Sequence, residues 1–183
     1  MAIDTGIGIS LSLVTTTQQA PLGLTVISPA GTDGQGERTY IYVSVDYSDL
    51  NGQIAGGDVL VGHVFGAATS AVAGVSVYSD VLFADVPPNA DPGTVIGVSQ
   101  QLWTWLTHYP LGPGVNDKLY GFLLKTGEGS VICDGTAVTN IGLIASAAAG
   151  IAATSGGVTL GGFGSLRDTS GAGAKSVRLD CKG

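Results

Sequence analysis

The chain has 183 residues and a net charge of −7, and only 11% of its residues are charged, against about 25% in ordinary globular domains. Apolar residues make up 44%, and glycine alone fills 30 positions. The scarcity of charge excludes a solvated helical bundle, whose outer faces need Glu, Lys and Arg. The many hydrophobic residues exclude a disordered chain. The composition therefore predicts a turn-rich, all-β protein with an unusually neutral surface.

The few basic residues are unevenly placed. Residues 1–116 contain one, Arg38, whereas residues 117–183 contain six. Nucleic-acid binding needs clustered Lys and Arg to neutralise phosphates, so no nucleic-acid partner is expected. We also expect no membrane partner, because no stretch has enough large apolar side chains for insertion. The N terminus lacks the basic region of a secretory signal, which predicts that the chain is not exported by that route.

The first predicted element is an amphipathic segment over residues 5–14, where large apolar side chains alternate with Gly and Ser. This period of two predicts a β-strand. We expect residues 1–20 to form an extended N-terminal arm and residues 21–183 a single β domain. The arm fits two arrangements equally, an edge strand of its own domain or a strand added to the sheet of a neighbouring molecule. Its candidate contact residues are Ile7, Ile9, Leu11 and Leu13.

A hairpin and a duplicated pattern follow the arm. Residues 22–27 and 39–45 are β-prone and flank a turn-rich stretch, which predicts a β-hairpin. Beyond Asp46, four short β-prone segments broken by glycine occur twice in the same order, at 56–61, 70–77, 94–100 and 118–125 and again at 139–146, 147–154, 158–165 and 174–181. The duplication predicts two similar meanders whose apolar faces pack together as a β-barrel or β-sandwich.

An aromatic insertion, residues 101–117, interrupts the first repeat. It contains both tryptophans of the chain, Trp103 and Trp105, together with Tyr109. Two interpretations are open. The rings pack over the open end of the β domain, or they form a contact patch, since Trp and Tyr are enriched where proteins bind one another. Under the second interpretation these three residues join the arm as candidates for contact with a partner subunit.

No constellation for chemistry is visible in the sequence. Neither His63 nor His108 has a neighbouring nucleophile or carboxylate motif, and no spacing matches a metal site. Cys133 and Cys181 either pair, if their strands are adjacent, or occupy core positions as small hydrophobic residues. We therefore predict no catalytic residue, no cofactor and no metal, and a protein that is not an enzyme.

Several stretches together resemble small structural proteins of tailed-phage virions. The resemblance runs through PLGLTVISPAGTDGQGERTYIYVSV (21–45), AGGDVLV (55–61), VIGVSQ (95–100), KLYGFLLKTGEGSVICDG (118–135), IGLIASAAAGIAA (141–153) and SVRLD (176–180). It implies an all-β capsid decoration, or cement, protein that binds the major capsid protein on the exterior of the virion and is assembled in the host cytoplasm. It also implies a homo-oligomer, with a trimer as the expected state, and it supplies no catalytic residues.

A second functional class fits the same residues. If Trp103, Trp105 and Tyr109 were exposed, they could stack on sugar rings. The chain would then be a receptor- or glycan-binding module of a fibre or cell-surface protein.

Overall fold

The computed structural model describes residues 8–29, 36–46, 53–62, 84–85, 95–110, 117–135, 142–145, 152–154, 162–168 and 171–181. These residues form strands and one four-residue helix: β1 (Thr25–Ser28), β2 (Arg38–Asp46), β3 (Gln53–Ile54), β4 (Val59–Gly62), β5 (Ala84–Asp85), β6 (Val95–Val98), β7 (Trp103–Thr104), α1 (Trp105–His108), β8 (Lys118–Cys133), β9 (Gly142–Ala145), β10 (Ala152–Thr154), β11 (Gly164–Leu166) and β12 (Gly173–Asp180). The all-β prediction is confirmed.

The longest strand, β8, organises the sheet. It pairs antiparallel with β2 over residues 118–126 and with β12 over residues 126–133, so that Thr126 lies opposite both Thr39 and Asp180. The predicted hairpin is present, because β1 pairs antiparallel with β2. The described residues contain no helix long and apolar enough to cross a membrane.

The two repeats share a pairing scheme. In the first, β4 pairs with β6 and β6 with β8; in the second, β9 pairs with β11 and β11 with β12, all antiparallel. A further short strand lies beyond the first segment in each, β5 beside β4 and β10 beside β9. The third segment of each repeat thus pairs with the first and fourth. The strand order of the second repeat departs from that of a meander in chain order, since among the described strands β11 pairs with β9 and not with β10. Segment 70–77 lies outside the described residues.

A single parallel residue pair, Ala152 with Cys133, joins β10 to β8. The strands β8, β12, β11, β9 and β10 consequently form a closed cycle of pairings. The finer choice between a barrel and a sandwich stays a prediction.

The core divides into two clusters on the two faces of β2 and β8. Tyr42 and Phe122 contribute to the first cluster, with ring centroids 5.0 Å apart, and the second repeat covers this face. Ile41 and Leu123 contribute to the second cluster, which the aromatic insertion covers. Burial on both faces explains why residues 40–45 of β2 and 119–124 of β8 are almost continuously apolar. The principal members from the second repeat are Leu143, Phe163, Leu166, Val177 and Leu179.

Gly127 shows how closely β2 crosses β8. Its φ of +107° lies in the region that favours glycine, and a Cβ there would lie 2.7 Å from the carbonyl oxygen of Glu37. The start of β2 therefore passes over a position in β8 that has no room for a side chain.

The described part of the N-terminal segment, residues 8–20, is not an extended arm. Leu13 N–H donates to Ser10 O at 3.1 Å, which closes a turn where the alternation predicted a strand. Thr15 and Tyr120 then exchange main-chain hydrogen bonds of 3.0 and 2.8 Å, and Gln19 N–H donates to the Tyr42 hydroxyl at 2.9 Å. The segment is attached to β2 and β8 of its own chain.

Candidate interaction surface

Trp103 and Trp105 are fully buried, so the prediction that they contact a partner subunit is wrong for both. Trp103 lies in β7, which pairs with β3 so that Ile54 lies directly opposite it. The far edge of the indole reaches 3.0 Å from the place where a Cβ would stand at Gly121. The missing side chain in β8 leaves the space that the ring fills. The alternative interpretation, packing over the core, is the correct one.

Tyr109 is half-buried and attached to its own chain. Its hydroxyl donates to Lys118 O at 3.0 Å, and its N–H donates to Trp105 O at 2.7 Å, which ends α1. Burial, followed by the nearby Asp117 carboxylate, raises the pKa of the phenol. The Tyr109 hydroxyl thus links the insertion to the beginning of β8, and only part of the side chain is exposed to solvent.

The candidate residues of the N-terminal segment separate into three groups. Leu11 is buried and Ile9 packs on the first core cluster, so both stabilise their own domain. Leu13 remains 43% exposed and is the only one of the three described members that keeps a large apolar surface in solvent. Ile7 lies outside the described residues.

Sequence reasoning did not single out Ile27, the most exposed large hydrophobic residue described. It is 60% exposed, and Leu102 follows at 57%. Along β1 the side chains alternate, with Thr25 and Ile27 outward and Val26 and Ser28 buried. The pattern LTVIS alone does not indicate which of two neighbouring β-branched residues points outward, because that depends on the side from which the core approaches.

Ile27 belongs to an outer face that the two core clusters leave uncovered in the described structure. The strand registers align Ile27 with Thr39, Thr39 with Thr126 and Thr126 with Asp180. This row, which we call the outer row, crosses four neighbouring strands, and directly paired residues point to the same face. Three of its four side chains are uncharged. The outer row lies on the same face of the sheet as the second core cluster. The described part of the aromatic insertion covers that cluster but does not extend over the outer row.

A polar junction joins the two ends of the first repeat. The Gln100 side chain accepts from Ser130 N–H at 3.0 Å and donates to Ser130 O at 3.1 Å, in the manner of a paired strand residue. Gly57 O accepts from Ile132 N–H at 2.9 Å. In the same turn the Asp58 carboxylate accepts from Ala55 N–H at 2.7 Å. Burial raises the pKa of this carboxyl, and the Ala55 hydrogen bond opposes the rise only in part.

The two thiols are buried and far apart. Cys133 is opposite Gly173 at one end of β12, whereas Cys181 follows the other end. Eight residues of strand separate these positions by about 26 Å, several times the reach of a disulfide, so the pairing left open by the sequence is excluded. Burial, together with the nearby Asp180, raises the pKa of Cys181 to about 12. Both residues act as core hydrophobes.

Within the described ranges, no group of three or more His, Cys, Asp or Glu residues could hold a metal ion. No family model matches the chain, and no curated protein matches its sequence.

Proposed function

We propose that this chain is a decoration protein of a tailed-phage virion, bound to the outside of the capsid and stabilising it through contacts with capsid subunits. The observation that carries the proposal is the outer row: Ile27, Thr39, Thr126 and Asp180 lie side by side on four strands with a single charge among them. Centres of protein interfaces are depleted in charge in the same way. The sequence resemblance favours a capsid as the partner.

The proposed mechanism needs no chemistry. Each copy covers a modest patch of the shell with the outer row. Short Thr side chains on a sheet lose little rotamer entropy when they are covered. Many copies on one particle act together, because each bound copy joins subunits that are already held in place, and their effective concentration converts moderate contacts into a stable shell.

The experiment uses shells of the phage that encodes the chain, assembled without it. Purified wild-type chain is titrated onto these shells and compared with Thr126→Glu, which places a second carboxylate beside Asp180 in the outer row. Desolvating an unpaired charge at a contact is costly, so we expect Thr126→Glu to bind about tenfold or more weakly. Thr107→Glu is the matched control, since Thr107 is exposed in α1 and lies outside the outer row. Equal binding by the three proteins would overturn the assignment of the contact surface.

The glycan-binding alternative depended on exposed aromatic rings in the insertion. Both indoles are buried and the Tyr109 hydroxyl is bonded to the main chain. No other observation among the described residues favours it, and we do not propose it.

A further inference from the structure

The edge strand β1 pairs with β2 on one side only. None of the other described strands pairs with its far edge. Thr25 and Ile27 are exposed on the outer face of this strand, whereas Val26 and Ser28 are buried beneath it. The strand is therefore anchored by its core side and its partner β2, and among the described residues no strand covers its other edge.

The hydrogen-bond pattern shows which main-chain groups point to that edge. Tyr42 N–H donates to Leu24 O at 2.9 Å, just before β1. Successive residues of an antiparallel strand direct their main-chain groups to opposite sides, so Val26 and Ser28 bond to β2. The N–H and C=O groups of Thr25 and Ile27 point the other way, to the open edge.

Nothing in β1 protects this edge. Natural proteins block such edges with Lys, inward charges, proline or bulges. The four residues of β1, TVIS, carry no charge, and the nearest proline, Pro29, follows the strand and leaves both outward N–H groups in place. The edge has the composition of a strand that accepts another strand.

We propose that this edge binds the same edge of a second copy of the chain, as an antiparallel pair about a two-fold axis. The register that aligns Thr25 with Ile27 of the second copy pairs all four outward main-chain groups of each copy, because such opposed residues exchange both hydrogen bonds. The same register keeps the two outer faces on one side of the joined sheet. Each Ile27 side chain then covers the opposite Thr25.

A second copy suits this edge because the edge is complementary to itself. No like charges meet across the two-fold axis, and each β-branched side chain opposes another, which stabilises cross-strand pairs. Four-residue strands bury much less than the roughly 1,200 Å² of a standard interface, so the dimer is weak, with a dissociation constant on the order of 1 mM. Because the same edge is used by both copies, the assembly is complete with two chains. The proposed dimer does not depend on the proposed function.

The test is a disulfide trap with two single variants, Thr25→Cys and Ile27→Cys, mixed at about 1 mM in a glutathione redox buffer that reduces chance disulfides. In the proposed register, position 25 lies about 5.5 Å from position 27 of the other copy, within disulfide reach. Two like positions are about 8 Å apart, beyond that reach. The native Cys133 and Cys181 are buried and do not compete.

We expect the mixed 25–27 dimer to exceed either like dimer on the order of tenfold, as measured by mass spectrometry of the intact disulfides. Leu102→Cys, at a site with nearly the same exposure as Ile27, is the control for random collision and should give little dimer. Circular dichroism of each variant verifies that the chain keeps its β-rich fold. A statistical mixture, or no more dimer than the control, overturns the proposal; in that case a strand of another protein is the remaining occupant. Shell binding by wild-type chain is a separate measurement, so the failure of one proposal does not imply the failure of the other.

Discussion

Asp58 is partly buried, and burial disfavours the charged form of its side chain. Burial raises its pKa, so the native protein binds a proton at this site more tightly than the unfolded chain does. Native stability is therefore lost as the pH rises from the ordinary pKa of an aspartate through the raised one. Ala55 N–H stabilises the carboxylate in part, and an amide oxygen at the same place could accept that bond.

We therefore expect Asp58→Asn to remove one component of the pH dependence. The free energy of unfolding of the wild-type chain should fall relative to that of Asp58→Asn as the pH rises from about 4 toward neutral. Denaturant titrations of both proteins across this range measure the difference. Parallel curves, or a relative gain by the wild-type chain, would show that burial does not govern this carboxyl.

Leu11 and Leu13 differ in burial: Leu11 packs in the core, whereas Leu13 lies largely on the surface of the N-terminal segment. Leu11 is 8% exposed in the first core cluster and Leu13 is 43% exposed. Leu11→Ala should cost about 2–3 kcal/mol of folding free energy by leaving a cavity. Leu13→Ala should cost about 0.5 kcal/mol or less. Chemical denaturation measures both, and equal losses would contradict the packing described here.

At the scale of elements, the crossing of β2 over β8 depends on Gly127. Gly127→Ala should destabilise the fold by about 2 kcal/mol or more, because it combines a disfavoured backbone conformation with a contact against the Glu37 carbonyl. Gly135→Ala is the control, since a Cβ there meets nothing within 4 Å, and it should change stability by about 0.5 kcal/mol or less. Thermal unfolding distinguishes them, and a tolerated Gly127→Ala would mean that the two strands can move apart.

The N-terminal segment shows why an element with a clear pattern was misassigned. Alternating Ile and Leu predict a strand, but Ser12 N–H donates to the Ser10 hydroxyl oxygen at 3.3 Å, and such short-range bonds compete with strand pairing. The side chains Ile9 and Leu11 still reach the core, from a turn. The periodic sequence placed Ile9 and Leu11 correctly on an apolar face that packs on the core, but it was wrong for the exposed Leu13 and for the backbone conformation.

For the whole molecule, composition and periodicity were sufficient to predict the all-β class and the β1–β2 hairpin. They were not sufficient for the candidate surface. Whether Trp103 is a contact or a core residue depends on Gly121 and Ile54, which are far from it in sequence and meet it only in the folded sheet. The exposure of Ile27 depends in the same way on which face of β1 the core approaches.

Some of the uncharged residues of this chain lie together on the surface of the described structure. Two core clusters occupy the two faces of β2 and β8, and the uncharged residues that remain outside them include Ile27, Thr39 and Thr126 of the outer row. Because this surface has few charges, it is less well solvated in a free monomer than an ordinary protein surface is. The small number of charges also lowers the desolvation cost of covering that surface.

Whether the chain decorates a capsid is tested by the number of chains bound per capsid subunit when purified protein is titrated onto shells that lack it. We expect binding to saturate at one fixed ratio and the saturated shells to dissociate at a higher temperature than bare shells. Absence of binding, binding without saturation, or saturated shells no more stable than bare ones would contradict the proposal.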